Sequence, residues 1–383
     1  MEADNTERVF PASPSGSTSP VSVTPPGTPQ SGWRSIFKWY WPTSLDQGAA
    51  SEKVLLQEYG GIPVDNTLHV QLQRVSLGSN TQRFINTLVL DQSDVRGSAS
   101  ERTNIVLCHG FGAGLGFLYK NLWPLSRLVP NCRVYAIDLL GMGRSGRPEF
   151  PKFQMNNTQA DATRAVDFFL DSFEEWRMKQ DGLEKFVLVG HSMGGYLSAL
   201  YALRHPQRVE KLILASPVGL PEQVGDGVAV TGHKIPGWIS HLWNANYTPQ
   251  GMLRGLGPLG PRFAHGYINN RFAYLPEPER LSLATYFYHI SADLGSGEYA
   301  LAALLAPGAW AREPLHSRLP KLTMPTTFMY GENDWMDKRH AVAAAEKMTV
   351  EVDIVSVPQA GHHLNLDNPQ EFNRIVAAQV MNI

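Results

Sequence analysis

Five residues, Gly190-His191-Ser192-Met193-Gly194, stand between the apolar run FVLV and the helix-like stretch YLSALYAL. The pattern is G-x-S-x-G at a strand-to-helix junction, a nucleophile elbow. So sharp a turn crowds backbone against backbone, so the positions two before and two after the serine must be small, and the hydroxyl is left exposed at the sheet edge. The helix that starts there aims its positive end at negative charge arising beside the serine. A serine hydroxyl is a weak nucleophile until a base takes its proton. The elbow therefore calls for an acid, and then a histidine, further along the chain. TTFMYGENDWMD offers Asp334 just past one apolar run, with Glu332 and Asp337 as rivals in the same turn. VPQAGHHLNLDNP offers His362 just past another, its neighbour His363 being expected to point elsewhere. Acyl transfer also needs donors for the oxyanion. The Met193 amide is one, and the Phe111 amide in His109-Gly110-Phe111-Gly112 is the other, with Gly112 second. The glycines of HGFGAGLG are not followed by the Lys-Ser/Thr pair of a phosphate loop. The chemistry is covalent serine catalysis, and it calls for no cofactor and no metal.

His362 and Asp367 also make an H-x-x-x-x-D pattern, in which the histidine would deprotonate an alcohol and the carboxylate would orient it for acyl transfer. A structural reading competes. Asn368, Pro369 and Glu371 look like the N-cap, first-turn proline and capping-box partner of a last helix, and Asp367 would then simply stand beside its start.

These residues need a scaffold that brings strand ends together. Short apolar runs recur at 104–108, 133–137, 185–189, 212–215, 326–330 and 352–357. They lack alternation, as strands buried on both faces do. Ala162, Ala165, Val166, Phe169, Phe173 and Trp176 recur at helical spacing between two of them. Alternating strand and helix signals predict a doubly wound, mostly parallel α/β sheet flanked by helices. Ahead of it, Leu68, Val70 and Leu72, and then Ile85, Thr87 and Val89, alternate with their neighbours and predict a half-exposed hairpin. Residues 220–318 are far too many for a crossover and are rich in aromatics, which predicts a helical insertion over the C-terminal edge of the sheet, as a lid. The core is then expected at 50–219 and 319–383.

The 383 residues are 43% apolar with a net charge of −2, ample for a packed core and unsuited to a nucleic-acid binder. The only two cysteines, Cys108 and Cys132, exclude a disulfide scaffold and suggest a reducing compartment. Met-Glu-Ala-Asp at the start lacks a signal or transit character, and no apolar run reaches a membrane span, so a cytoplasmic location is expected. Residues 1–30, rich in Pro and Ser, are expected to be disordered. Within 31–44, Trp33, Ile36, Phe37, Tyr40 and Trp41 fall on one helical arc with Arg34 and Lys38 off it. Such an amphipathic segment suits a membrane or lipid-droplet interface, though the same aromatics could pack onto the domain.

Together with the elbow, the phrases GRSGRP, DSFEEWR, HLWNANYTPQGMLRGLGPLGP, PTTFMYGENDWMD and GHHLNLDNP resemble one group of α/β-hydrolases. It is the subfamily of the lipid-droplet lipase co-activator (comparative gene identification 58) and N-acyl-phosphatidylethanolamine lipase. The wording resembles above all its plant and fungal lysophosphatidic acid acyltransferase/phospholipase members. The resemblance runs from about Trp33 to the C-terminus. It implies the α/β-hydrolase fold with a helical lid, and phospholipid or lysophospholipid substrates. It also implies acyl-CoA as a candidate co-substrate and peripheral association with membranes or lipid droplets. The co-activator, in which the elbow serine is replaced, implies the alternative of a protein that acts by binding a lipase partner. Fungal relatives that deacylate cardiolipin make the mitochondrion the alternative location.

Overall fold

Five of the six apolar runs of the sequence become inner strands of one eight-stranded sheet. The sixth, 352–357, becomes an edge strand that is half-exposed rather than buried on both faces, because it has a neighbour on one side only. The computed structural model describes residues 43–64, 69–92, 102–150, 159–223 and 227–382. The tail over 1–30 and the aromatic arc of Trp33, Ile36, Phe37, Tyr40 and Trp41 lie outside the described residues.

The strands are β1 (Val70–Ser76), β2 (Phe84–Asp91), β3 (Thr103–Cys108), β4 (Cys132–Ile137), β5 (Phe186–His191) and β6 (Val209–Ala215). A two-stranded ribbon follows, β7 (Leu305–Ala306) and β8 (Trp310–Ala311), and then β9 (Thr326–Gly331) and β10 (Val352–Val357). The large sheet is ordered β1-β2-β4-β3-β5-β6-β9-β10. β1 and β2 pair antiparallel, β2 meets β4 antiparallel, and every later pairing is parallel. Successive residues of β3 explain the absence of alternation. Val106 and Cys108 face one core, while Ile105 and Leu107 face the other.

Helices α2 (Tyr119–Leu128) and α12 (Pro369–Met381) cover one face through Leu122, Leu125, Phe372 and Val376. Helices α3 (Gln159–Met178) and α4 (Met193–Arg204) cover the other through Ala165, Phe169, Leu197 and Leu200. An N-terminal helix α1 (Leu45–Val54) precedes them all. The hairpin is not half-exposed throughout. β2 lies between β1 and β4, and all its residues from Ile85 to Leu90 are buried. Its polar members are therefore paired inside: the Trp176 indole donates to Thr87 Oγ1 at 2.9 Å, and Asn86 Nδ2 donates to Asp138 Oδ2 at 2.8 Å. Both cysteines are free and buried.

Between β6 and β9 lies a cap made of α5 (Gly237–Asn244), α6 (Pro249–Gly255), α7 (Gly260–Arg271), α8 (Glu277–Ala292), α9 (Ala300–Leu304) and the small ribbon. It rests on loops that follow the C-terminal ends of strands. The Gly116 amide after β3 donates to the Tyr286 hydroxyl of α8 at 3.2 Å. The Gly297 amide donates to the Gly141 carbonyl, in the loop after β4, at 3.0 Å. Among the described residues, no helix is long and apolar enough to cross a membrane.

Candidate active site

Parallel strands adjacent in the sheet place their following loops side by side, at one edge. The order β3-β5-β6-β9-β10 thus gathers the loop carrying Phe111, the elbow carrying Ser192, Ser216, Asp334 and His362. Ser192 takes φ 53° and ψ −118°, a left-handed conformation that a side chain tolerates only where the surroundings enforce it. The enforcement is visible. The Ser192 amide donates to the Ala215 carbonyl at 2.9 Å, and the turn presses against the loop after β3. A Cβ added to Gly194 would lie 2.3 Å from the His109 carbonyl oxygen and 2.8 Å from that of Cys108. Both obstacles are backbone, so Gly194→Ala is expected to cost about 3 kcal/mol or more. Thermal melting of the variant against wild type checks this, and an unchanged midpoint would contradict the close packing of the elbow.

His362 Nε2 lies 3.0 Å from Ser192 Oγ, and its Nδ1 lies 3.2 Å from Asp334 Oδ1. Asp334 Oδ1 also accepts the Met336 amide at 3.0 Å, while Oδ2 accepts the Ser216 hydroxyl. Burial alone would raise this carboxyl. The His362 imidazole, the Ser216 hydroxyl and the Met336 amide outweigh burial and hold it below the usual range, so it is a carboxylate. With a carboxylate at Nδ1, the imidazole keeps its proton there and presents a bare Nε2 to the serine. Such a chain can take the hydroxyl proton and stabilise the imidazolium that results.

The two rivals face other partners. Glu332 accepts the Gln359 amide at 3.0 Å, and Asp337 pairs with Arg339. Met193 opens α4, where the helix itself provides no acceptor for its amide. Phe111 and Gly112 lie in the loop after β3, and Gly112 has φ +71°. The neighbouring Gly110 lies close to the nucleophile: a Cβ built on it would be 3.0 Å from Ser192 Cβ.

Asp367 sits at the end of a short helix, α11 (Leu364–Asp367), and Asn368 caps α12 by accepting the Glu371 amide at 3.2 Å. The Asp367 carboxylate accepts the Gly361 amide at 2.9 Å, Arg271 at 3.0 Å and the Tyr274 hydroxyl at 2.8 Å. None of these bonds goes to the His362 imidazole. The carboxylate instead ties the cap to the backbone immediately before the histidine.

Several contributors carry no motif. Ser216 has φ 45° just beyond β6 and would be found only by noticing a hydroxyl residue at the end of a buried strand. His191, the variable position of the elbow, donates from Nε2 to the His362 carbonyl at 2.8 Å and so anchors the histidine loop. Burial, reinforced by the nearby His362, pushes its imidazole down to about 3, which keeps it neutral. His363 does not reach Ser192 or Asp334, but lines a cavity.

That cavity, of about 540 Å³, runs from Phe111, Gly112 and His363 under the cap to Leu256, Phe263 and Tyr267. Most of its wall is apolar, as a site for a hydrocarbon chain requires. Among the described residues, no cluster of His, Cys, Asp and Glu could hold a metal ion.

The alpha/beta hydrolase family model matches residues 105–375. The 1-acylglycerol-3-phosphate O-acyltransferase of Arabidopsis thaliana is 38% identical over 368 residues, which cover 90% of this chain and 82% of that protein. The (lyso)-N-acylphosphatidylethanolamine lipase of Bos taurus is 34% identical over 290 residues, covering 72% of this chain and 78% of that one. Among solved structures, the carboxylesterase CesB (YbfK) of Bacillus subtilis is similar with a TM-score of 0.56 at 20% identity, covering 88% of this chain and 99% of its own, a likeness of fold alone. A hydrogen-bonded Ser–His–Asp chain at the strand ends, a capped α/β sheet and relatives of this extent agree: the chain belongs to the α/β-hydrolase family, in the subfamily that contains these acyltransferases and N-acylphosphatidylethanolamine lipases.

Proposed function

We propose that the protein is a serine-dependent lipid acyl hydrolase of the phospholipase or lysophospholipase type, with acyl transfer to a lysophospholipid as a second outcome of the same intermediate. The observation that carries the reading is the Ser192–His362–Asp334 chain, at 3.0 and 3.2 Å, beside an apolar cavity of about 540 Å³. Ser192 Oγ attacks the acyl carbonyl while its proton passes to His362 Nε2. The Met193 and Phe111 amides receive the oxyanion, and Asp334 stabilises the imidazolium. His362 then protonates the departing alcohol, leaving an acyl-serine. Water, deprotonated by His362, attacks the acyl carbon and releases a fatty acid. A lysophospholipid hydroxyl in place of water yields a diacyl lipid, and acyl-CoA could load the serine with a thiol as leaving group. The names of the relatives support both outcomes. The substrate is drawn from a membrane or lipid-droplet surface, for the cap exposes Trp238, Leu259 and Phe263 by more than half of each side chain's surface.

The test is fatty-acid release from phospholipid vesicles before and after treatment with a fluorophosphonate. Complete modification of Ser192, read as a mass gain on its peptide, is expected to abolish release. Release that continues at the original rate would overturn the reading. Labelled acyl-CoA with lysophosphatidic acid tests the second outcome: absence of phosphatidic acid removes acyl transfer and leaves hydrolysis standing.

A further inference from the structure

The cavity wall is mostly apolar, yet it includes polar atoms with nothing to bond. Gln250 is 8% exposed and Ser291 2%. Both line the cavity, and among the described residues neither Gln250 Oε1 nor Ser291 Oγ has a hydrogen-bond partner. Buried polar atoms are seldom left unpaired, because each forgoes its bonds to water without replacement. Nor are the helices that carry these two side chains loosely held. Gln250 stands in the first turn of α6, where Thr248 Oγ1 accepts the Gly251 amide at 2.9 Å. Ser291 lies near the end of α8. Arg254 of α6 donates to the Ser291 carbonyl at 3.3 Å and to Glu298 Oε2 at 3.0 Å, which joins the two elements. A site on fixed helices is prepared for a ligand rather than formed by it.

Its position relative to the chemistry is also fixed. A Cβ built on Gly112 would lie 3.2 Å from Gln250 Nε2, so the amide rests against the loop that follows β3. Phe111, Gly112, Gln250 and Ser291 together border both the large cavity and a void of about 10 Å³ beside it. The polar pair is therefore at the reacting end of the cavity, not far along the hydrocarbon. His363, which follows the base, contributes a further unpartnered atom, Nδ1, to the same cavity.

The donor and acceptor inventory restricts what fits. A glutamine amide presents a carbonyl on one side and an NH₂ on the other, and a serine hydroxyl both donates and accepts. A carbonyl cannot donate to Oε1, and an ammonium, which could donate to both atoms, would leave its charge unpaired in a mostly apolar cavity. An alcohol donates to Oε1, bonds the serine in either sense and carries no charge. We infer that Gln250 and Ser291 form a recognition site for a free hydroxyl beside the scissile ester, as on the glycerol backbone of a monoacyl lipid. The inference rests on the acyl-serine reading above and deepens it. An ester without that hydroxyl leaves both side chains unpaired in the complex, and sites built to bond a hydroxyl reject such analogues strongly.

The test uses the full-length protein and compares fatty-acid release within two pairs of esters. The first pair is 1-oleoyl-glycerol 3-phosphate and its 2-deoxy analogue, the oleoyl ester of 3-hydroxypropyl phosphate. The second is methyl 2-hydroxyoleate and methyl oleate, in which the hydroxyl belongs to the acyl chain. Wild type is expected to prefer the glycerol ester over its deoxy analogue at least about tenfold in kcat/KM. Gln250→Leu and Ser291→Ala are each expected to bring that ratio toward one. Because the ratio is taken within one preparation, a partly unfolded variant does not disturb it, and the wild-type ratio needs no variant at all. A wild-type ratio near one, or a preference that survives both substitutions, would overturn the inference and leave a trapped water as the partner of these atoms. A preference confined to the second pair would overturn the glycerol assignment and move the hydroxyl to the acyl chain. No release from any ester, with Ser192 unreactive to a fluorophosphonate, would instead overturn the acyl-serine reading itself.

Discussion

Ser192→Ala and His362→Ala are each expected to lower kcat for acyl-ester hydrolysis by about 10⁶-fold, and the double variant to be no worse than either, because the residues act as one unit. Asp334 separates two contributions that usually fall together. Asp334→Ala removes both the charge and the partner of His362 Nδ1, and a loss of about 10⁴-fold is expected. Asparagine loses only the charge. Asp334 Oδ1 accepts the Met336 amide as well as facing His362 Nδ1, so an amide NH₂ turned to that side would meet a backbone N–H. The oxygen is thereby held toward the imidazole, and the NH₂ is left toward the Ser216 hydroxyl, which can accept it. The productive tautomer survives, so Asp334→Asn should retain at least about tenfold more activity than Asp334→Ala. Steady-state kinetics on a soluble ester decides the matter. Equal losses in the two variants would mean that the amide has turned and the imidazole proton has moved to the wrong nitrogen.

What could be read from the residues alone follows from how locally each feature is encoded. The elbow is a turn whose packing demands glycine at fixed offsets, so Ser192 is recognisable in five residues. Asp334 and His362 stand in turns just beyond apolar runs, and the chain order of acid and base narrows the choice further. The parallel sheet is legible because burial on both faces removes alternation. Features assembled across the chain leave no such trace. Asn86 of β2 reads as an outward residue of a hairpin, yet it donates to Glu52 of α1 and Asp138 beyond β4. Gln250 and Ser291 are ordinary polar residues in ordinary helices until the cap folds. Asp367 is an intermediate case: its spacing from His362 is visible, but its partners Arg271 and Tyr274 come from the cap, so the carboxylate also latches two elements together.

The second large effect concerns stability in acid. Burial, first of all, depresses several imidazoles: His191 is pushed down to about 3 and His289 to about 4, His363 is held well below its ordinary value, and His109, His205 and His265 are held below it. In the unfolded chain each would take up a proton near pH 6.5. Because these folded values are depressed, the stability at stake is fully present above pH 6.5 and is lost as the pH falls toward the folded values. Within that window each imidazole favours the unfolded chain about tenfold for every pH unit. One group opposes them. Burial pushes the Glu52 carboxyl up to about 7, against the pull of Arg144, so between about pH 7 and its ordinary 4.5 the folded chain is the form that binds this proton. The depressed imidazoles outnumber this carboxyl, so acid destabilises the folded chain on balance. A stability of about 5–15 kcal/mol is small against several such linked protons. Urea midpoints are therefore expected to fall steeply between pH 6.5 and 4.5, far above the range where carboxylates alone unfold a protein. His289 offers a clean check, since it lies away from Ser192, with its Nδ1 3.0 Å from Thr43 Oγ1. His289→Gln should reduce the slope by about one proton while leaving the midpoint at pH 8 less affected than the midpoint at pH 5. A urea midpoint that is flat from pH 7 to 5 would show that these imidazoles become charged without unfolding the chain, and so that the cap and the histidine loop admit water.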